Sequence, residues 1–248
     1  MRVVGLCLCL IVLAGCPGPH VAPEPPLPPG PVWTPWPPLR DASGLEPVVR
    51  DIESHLPAGH PYRSADRINW VHEGTHGING RLRSAYRRPG FYVLNDNAVL
   101  LREPPTTLAA VAALVPPMLR GEVYNEYLCK SQAAWNDQPS YIFDEWTAYT
   151  NGLEARCRLG ISDREETGRH ALEFIVYAIC VPWAAHSQDA QTKAFLRWQA
   201  ERTLALCRQA GIHSAVYDRL RTTSKAAMLR GFIKRYLGPD WTRRTLGF

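Results

Sequence analysis

The stretch "WVHEGTHGING", residues 70–80, decides how this chain of 248 residues is read. It sets His72 and His76 four apart with Glu73 between them. On a helix, positions i and i+4 share a face, so both imidazoles reach one cation. Glu73 is the next residue round, beside such a cation rather than on it. Two imidazoles suit Zn²⁺, and a neighbouring carboxylate can take a proton from water activated by the metal. Ile68, Val71, Thr75, Ile78 and Leu82 recur at 3-4-3-4 spacing, which predicts one buried helix face with the two histidines on its border. Polar groups at the edge of a core are costly unless they are satisfied. Gly74 and Gly77 fall within the same helix, where each glycine costs about 1 kcal/mol relative to alanine. Close approach by a substrate or another backbone would account for that cost; a loose helix is the plainer account.

A catalytic zinc takes a third protein ligand and keeps a fourth position open. A third histidine in the extended form of the motif would stand at position 82, after a glycine at 79. This chain has Leu82 and Asn79 there, which leaves a glutamate on a later helix. Glu145, in "YIFDEWTAYTNG" (residues 141–152), is the candidate. Ile142, Trp146, Tyr149 and Leu153 form an apolar stripe, and Glu145, Ala148 and Gly152 run beside it. Small residues after the carboxylate let that helix pack closely on the first. Asp144 points about 100° away and is read as a partner that orients a ligand histidine. Glu126, in "YNEYLCK", is the rival ligand.

His72-Glu73-x-x-His76 with a downstream Glu145 resembles the gluzincin metallopeptidases, and "HEGTHGIN" with "DEWTAY" is similar to the lethal-factor-like branch of the zincins. The resemblance spans residues 64–158. It implies a zincin-like helical domain that hydrolyses peptide bonds in a peptide or protein substrate. Zinc on His72, His76 and Glu145 would polarise the carbonyl, Glu73 would activate water, and a tyrosine or histidine would stabilise the oxyanion. Tyr141 is preferred for that last role, with Tyr149, His170 and His186 as alternatives. Zincin peptidases usually place a substrate-binding edge strand ahead of the motif helix. Residues 40–63 carry no strand pattern, so the expected edge is a hairpin that follows the helix.

The chain begins "MRVVGLCLCLIVLAGC": one charge, a short apolar run, then small residues. Residues 1–15 have the layout of a cleaved signal peptide. Leu13-Ala14-Gly15-Cys16 resembles the lipobox of bacterial lipoproteins, which implies cleavage before Cys16 and acylation of that cysteine. The expected location is therefore the bacterial cell envelope, tethered to a membrane by lipid. Residues 16–39 are read as the lipidated cysteine and a proline-rich linker. Its prolines are expected to exclude regular pairing and to extend it at about 3.1 Å per residue.

Residues 40–248 are read as one domain, mainly α (α+β), with a small β-hairpin in "FYVLNDNAVLL". Helices are predicted near 44–56, 64–87, 106–115, 118–135, 139–158, 164–186, 189–210 and 223–237. Cys129, Cys157, Cys180 and Cys207 would remain after export. They allow two disulfides in any of three pairings, or four thiols in the interior. None lies in a CxxC arrangement, so a four-cysteine zinc site is not expected. The net charge is +5, and residues 218–248 hold eight Lys or Arg against two Asp. That excess is read as a solvated basic face, with an anionic lipid or polymer surface as the alternative. No nucleic-acid motif accompanies it, so nucleic acid is not an expected partner. Two other functions compete with the hydrolase: an envelope lipoprotein that binds zinc without catalysis, and a metal-free cell-wall adaptor.

Overall fold

In a computed structural model, which describes residues 30–60, 66–162 and 164–248, the chain enters the fold as a short strand, β1 (Trp33–Pro35). Helices α1 (Pro47–Ser54) and α2 (Arg67–Tyr86) follow, then strands β2 (Gly90–Tyr92) and β3 (Asn97–Leu100). The rest is helical: α3 (Leu108–Leu114), α4 (Gln132–Trp135), α5 (Tyr141–Arg158), α6 (Glu165–Ala184), α7 (Ala190–Ala210), α8 (Ala215–Thr222), α9 (Ala227–Leu237) and α10 (Pro239–Thr245). The fold is mainly α with one small antiparallel sheet, ordered β1-β3-β2. The signal segment and Cys16 lie outside the described residues.

Local chemistry sets the limits of α2. Asp66 caps it, accepting from the N–H of Ile68 at 2.9 Å and of Asn69 at 3.4 Å. It stops at Arg87, which turns left-handed with φ 56°, just before Pro89. The stripe Ile68, Val71, Thr75, Ile78 and Leu82 is buried throughout. Gly74 and Gly77 are explained by α1 rather than by a substrate. A Cβ at 74 would lie 2.5 Å from Ile52 Cγ2, and one at 77 would lie 3.0 Å from Leu56 Cδ2 and 2.6 Å from His60 Nε2. The glycines let α1 and the turn after it sit directly on α2.

The proline-rich segment departs from expectation. Trp33–Pro35 pairs with β3, with Trp33 opposite Val99 and Pro35 opposite Asn97. Proline has no N–H to give a ladder, but β1 is an edge strand, where that lack is tolerated. Val32 exchanges hydrogen bonds with the Gln191 side chain, both at 3.2 Å, and Trp33 packs edge-on against Trp198 at 4.8 Å. Residues 30–39 thus belong to the fold. His55 holds this junction. It is fully buried, with Nε2 2.6 Å from Trp36 O and Nδ1 2.6 Å from Asp51 O.

The helix predicted over 118–135 is broken. A 3₁₀ turn at Pro117–Leu119 leads to a π-helix over Asn125–Lys130 and then to α4. Short helices α8 and α10 also appear where no helix was predicted. Cys129, Cys157, Cys180 and Cys207 are all free thiols, so of the two alternatives the disulfides are not the one formed; Cys180 and Cys207 are buried and Cys129 and Cys157 are half-buried. The core lies on both sides of α5, which packs against α2 on one side and α6 on the other. Trp146, Phe143, Phe174 and Phe195 are wholly buried on the α6–α7 side.

Candidate metal centre

The α2–α5 contact brings the sequence candidates together. Gly152 faces the first histidine: a Cβ there would lie 3.9 Å from His72 Cβ. Two turns back on α5, Glu145 reaches the same point. His72 Nε2 and His76 Nε2 are 3.2 Å apart, and Glu145 Oε2 lies 3.8 Å from the first and 3.6 Å from the second. Donors bound at 2.0–2.2 Å to a tetrahedral ion stand roughly 3.3–3.6 Å apart, so the triangle has the dimensions of such a site.

The hydrogen-bond inventory points the same way. His76 Nδ1 lies 2.9 Å from Asp144 Oδ1, so its N–H is assigned to that carboxylate and the Nε2 lone pair faces the triangle. Glu145 Oε2 is buried and has no hydrogen bond among the described residues. Two ring nitrogens and a carboxylate oxygen facing one point need a proton or a metal ion between them. Burial acts to lower His76, yet Asp144 and Glu145 outweigh it and hold that ring well above the usual imidazole value. Burial and the neighbouring His76 push His72 down to about 3. One proton shared beside a buried carboxylate is the state a bound cation would replace.

Asp144 and Asn79 connect the cluster to the sheet. Asn79 Nδ2 donates to the Asp144 oxygen that meets His76, at 2.6 Å, and Asn79 Oδ1 accepts from Tyr92 N–H at 2.7 Å. On the same strand, Asn151 Nδ2 donates to Tyr92 O at 3.0 Å. The outward main-chain groups of Tyr92 are therefore already used. The expectation that the hairpin edge binds a peptide fails at that residue, because two asparagine side chains close it.

Glu73 lies between two cavities. One, of about 330 Å³, is lined by His72, Tyr127, Tyr149, Arg156, Glu166 and His170. The other, of about 340 Å³, is lined by His76, Arg83, Phe91, Trp135, Tyr141 and Glu145. Glu73 borders both. Tyr141 stacks on the half-exposed Trp135, with centroids 5.1 Å apart and planes 2° from parallel. Burial and Glu145 raise its phenol far above the usual value, so it stays protonated. Tyr149 packs edge-on to His72 at 4.6 Å and shares a hydrogen bond of 2.8 Å with Tyr127. Its phenol is raised to about 12, chiefly by burial.

The other sequence candidates separate clearly. Glu126 is exposed and pairs with Lys130 at 2.8 Å, away from the cluster. His170 lines the first cavity, with Nε2 3.1 Å from Glu122 Oε2. His186 is exposed just past the end of α6. Sequence reasoning missed Tyr127 and gave Asn79 no role. Tyr127 reaches the site from the π-helix, a conformation that leaves no periodic signal and recurs at functional sites. A second cluster, Asp51, His55 and Asp96, also has ligand-type atoms close together. There the two ring nitrogens are occupied by the backbone carbonyls of Asp51 and Trp36, so it is a structural clamp.

Comparison with protein families, curated proteins and solved structures finds no match to this chain. No described helix is long and apolar enough to cross a membrane.

Proposed function

We propose that this chain is a lipid-anchored, zinc-dependent hydrolase of the bacterial envelope, acting as a metallopeptidase of the gluzincin type. One observation carries the reading: the buried Glu145 Oε2, which has no hydrogen bond among the described residues, faces the Nε2 atoms of His72 and His76 at 3.8 and 3.6 Å. His72, His76 and Glu145 would hold the metal. The side chains of His72 and His76 keep 16% and 19% exposure, which leaves the cluster an open side. Bound there, zinc would supply Lewis acidity toward a scissile carbonyl.

The remaining work falls to the chain. A substrate lying from one cavity to the other passes over Glu73, whose carboxylate takes a proton from the attacking water and returns it to the leaving amine. Tyr141 shares the second cavity with Glu73 and Glu145. Its OH accepts from Ser131 Oγ at 3.4 Å and faces the Glu145 carboxylate; with that carboxylate on the metal, the phenolic proton would be free for a developing oxyanion. Asp144 fixes the tautomer and orientation of His76. The membrane anchor rests on the LAGC sequence that ends at Cys16.

One feature favours a second reading, a lipoprotein that binds zinc without hydrolysing peptides. The β2 edge is closed at Tyr92 by Asn79 and Asn151, so the usual strand pairing with a peptide is not offered there. Metal content of the purified protein, beside Glu145→Ala and Glu126→Ala, tests the site. The expected result is one zinc per chain, weakened by Glu145→Ala alone. Absence of zinc after reconstitution of the folded wild type would end both zinc readings. Zinc retained with no turnover across peptide libraries would favour the second.

A further inference from the structure

A cavity of about 430 Å³, sharing no lining residue with the two that Glu73 borders, lies between the C-terminal part of α7, helix α8 and the last turn before Phe248. That volume falls within the roughly 300–1,000 Å³ of small-molecule sites. Its floor is apolar and well buried: Leu172, Leu204, Ile212 and Leu246 are at most 6% exposed. Its rim is basic, with Arg208, Arg221, Arg244 and His213 set against a single acid, Asp218.

The rim is built into the fold. Tyr217 OH donates to Leu246 O at 3.3 Å, and Gly247 N–H donates to Thr242 O at 3.1 Å, so the C-terminal turn is folded back over α8. Gly247 has φ +83°, and a Cβ there would lie 3.0 Å from Arg221 Nη2 and 3.1 Å from Nε. The glycine both permits the left-handed turn and lets the guanidinium lie against the backbone. Tyr217 lines the same wall as Arg208 and Arg221, and burial raises its phenol to about 12 against the opposing pull of those two charges. Arg208 and Arg244 have no carboxylate partner among the described residues, and Asp218 meets Arg221 only at 3.8 Å.

An apolar floor under unneutralised guanidinium groups fits one class of ligand: an anion carrying an alkyl body. We propose that this cavity binds an anionic amphiphile, its carboxylate or phosphate head held by Arg208, Arg221 and Arg244 and its alkyl chain lying on Leu172, Leu204, Ile212 and Leu246. Guanidinium forks match such oxyanions in a paired geometry. The site is independent of the candidate metal centre and of the reading given to it. It also gives the basic C-terminal region a defined use in place of a diffuse solvated face.

The test is calorimetric titration of the full protein with decyl phosphate and, separately, with decanol. The variants are Arg208→Gln/Arg244→Gln and the control Lys225→Gln/Arg235→Gln. The control removes the same charge from exposed positions of the C-terminal region outside the cavity. The expected result is one decyl phosphate per chain, at least tenfold weaker decanol, at least tenfold weaker decyl phosphate in the first variant, and no change in the control. All these positions are exposed, and circular dichroism checks that each variant keeps its fold. Vesicles containing phosphatidylglycerol distinguish the source. Vesicle binding that is also lost in the first variant identifies a lipid headgroup; decyl phosphate binding without vesicle binding identifies a free amphiphile. Equal affinity for decanol, equal losses in the two variants, or vesicle binding with no decyl phosphate binding would overturn the proposal.

Discussion

Asp144 touches no point of the metal triangle, yet its replacement should weaken metal binding measurably. Its Oδ1 accepts from His76 Nδ1 at 2.9 Å and from Asn79 Nδ2 at 2.6 Å. Two donors on one oxygen fix the carboxylate, and the carboxylate fixes the His76 ring. Removing partners that orient ligand histidines typically costs 10–100-fold in metal affinity, about 1.4–2.7 kcal/mol. Asp144 is 27% exposed, so water can reach the vacated space in Asp144→Ala and partly replace the lost acceptor. The lower half of that range is therefore expected. Asp144→Asn keeps an oxygen that can accept from both donors and loses only the charge, so its loss should stay below about tenfold. The assay is a Zn²⁺ titration in competition with a chromophoric chelator, with circular dichroism to confirm the fold. Asp144→Ala within twofold of wild type would refute the claim that this contact orients a metal ligand. An asparagine variant as weak as alanine would show that charge, not geometry, dominates.

Further outcomes follow from the same contacts. Glu73→Gln should retain full zinc content while lowering kcat/KM about 10²–10⁴-fold on any peptide the wild type cleaves; parallel loss of metal would move Glu73 into the ligand set. Gly74→Ala gains helix propensity but drives a Cβ to 2.5 Å from Ile52 Cγ2, and urea unfolding should show a net loss of about 1–3 kcal/mol. Burial acts to raise Glu154, but Arg202, bonded to it at 2.7 Å, outweighs that and holds the carboxyl below its ordinary 4.5. Because the folded value is the lower one, this contribution is complete above the ordinary value and disappears as pH falls through the folded one. Glu154→Gln should accordingly flatten the acid limb of a stability–pH curve measured by thermal unfolding. Alkylation of the denatured, unreduced protein should label Cys129, Cys157, Cys180 and Cys207 in full; protection of any pair would show a disulfide.

The sequence by itself carried the mainly helical class, the hairpin and the bounds of the long helices. Those follow from local rules: apolar periodicity and the Pro89-Gly90 pair that closes α2; the Asp66 cap fixes the start of α2 at Arg67, where periodicity alone places it near 64. It also put the two histidines on one face of α2 and Glu145 on the face of α5 that meets them, because face and period are properties of a single helix. What it did not carry depended on a second element. The reason for Gly74 and Gly77 lies on α1, in Ile52 and Leu56. Trp33–Pro35 became a strand because β3 offered it an edge. Tyr127 entered the site through a π-helix, and Asn79 gained a role only once α5 and β2 were both beside it. The basic cavity joins residues from α7, α8 and the last turn, segments separated along the chain and brought together by packing alone. Periodicity records which face of an element is apolar; it does not record which neighbour will cover that face. Only the tertiary structure supplies that pairing, and with it the distances on which both sites depend.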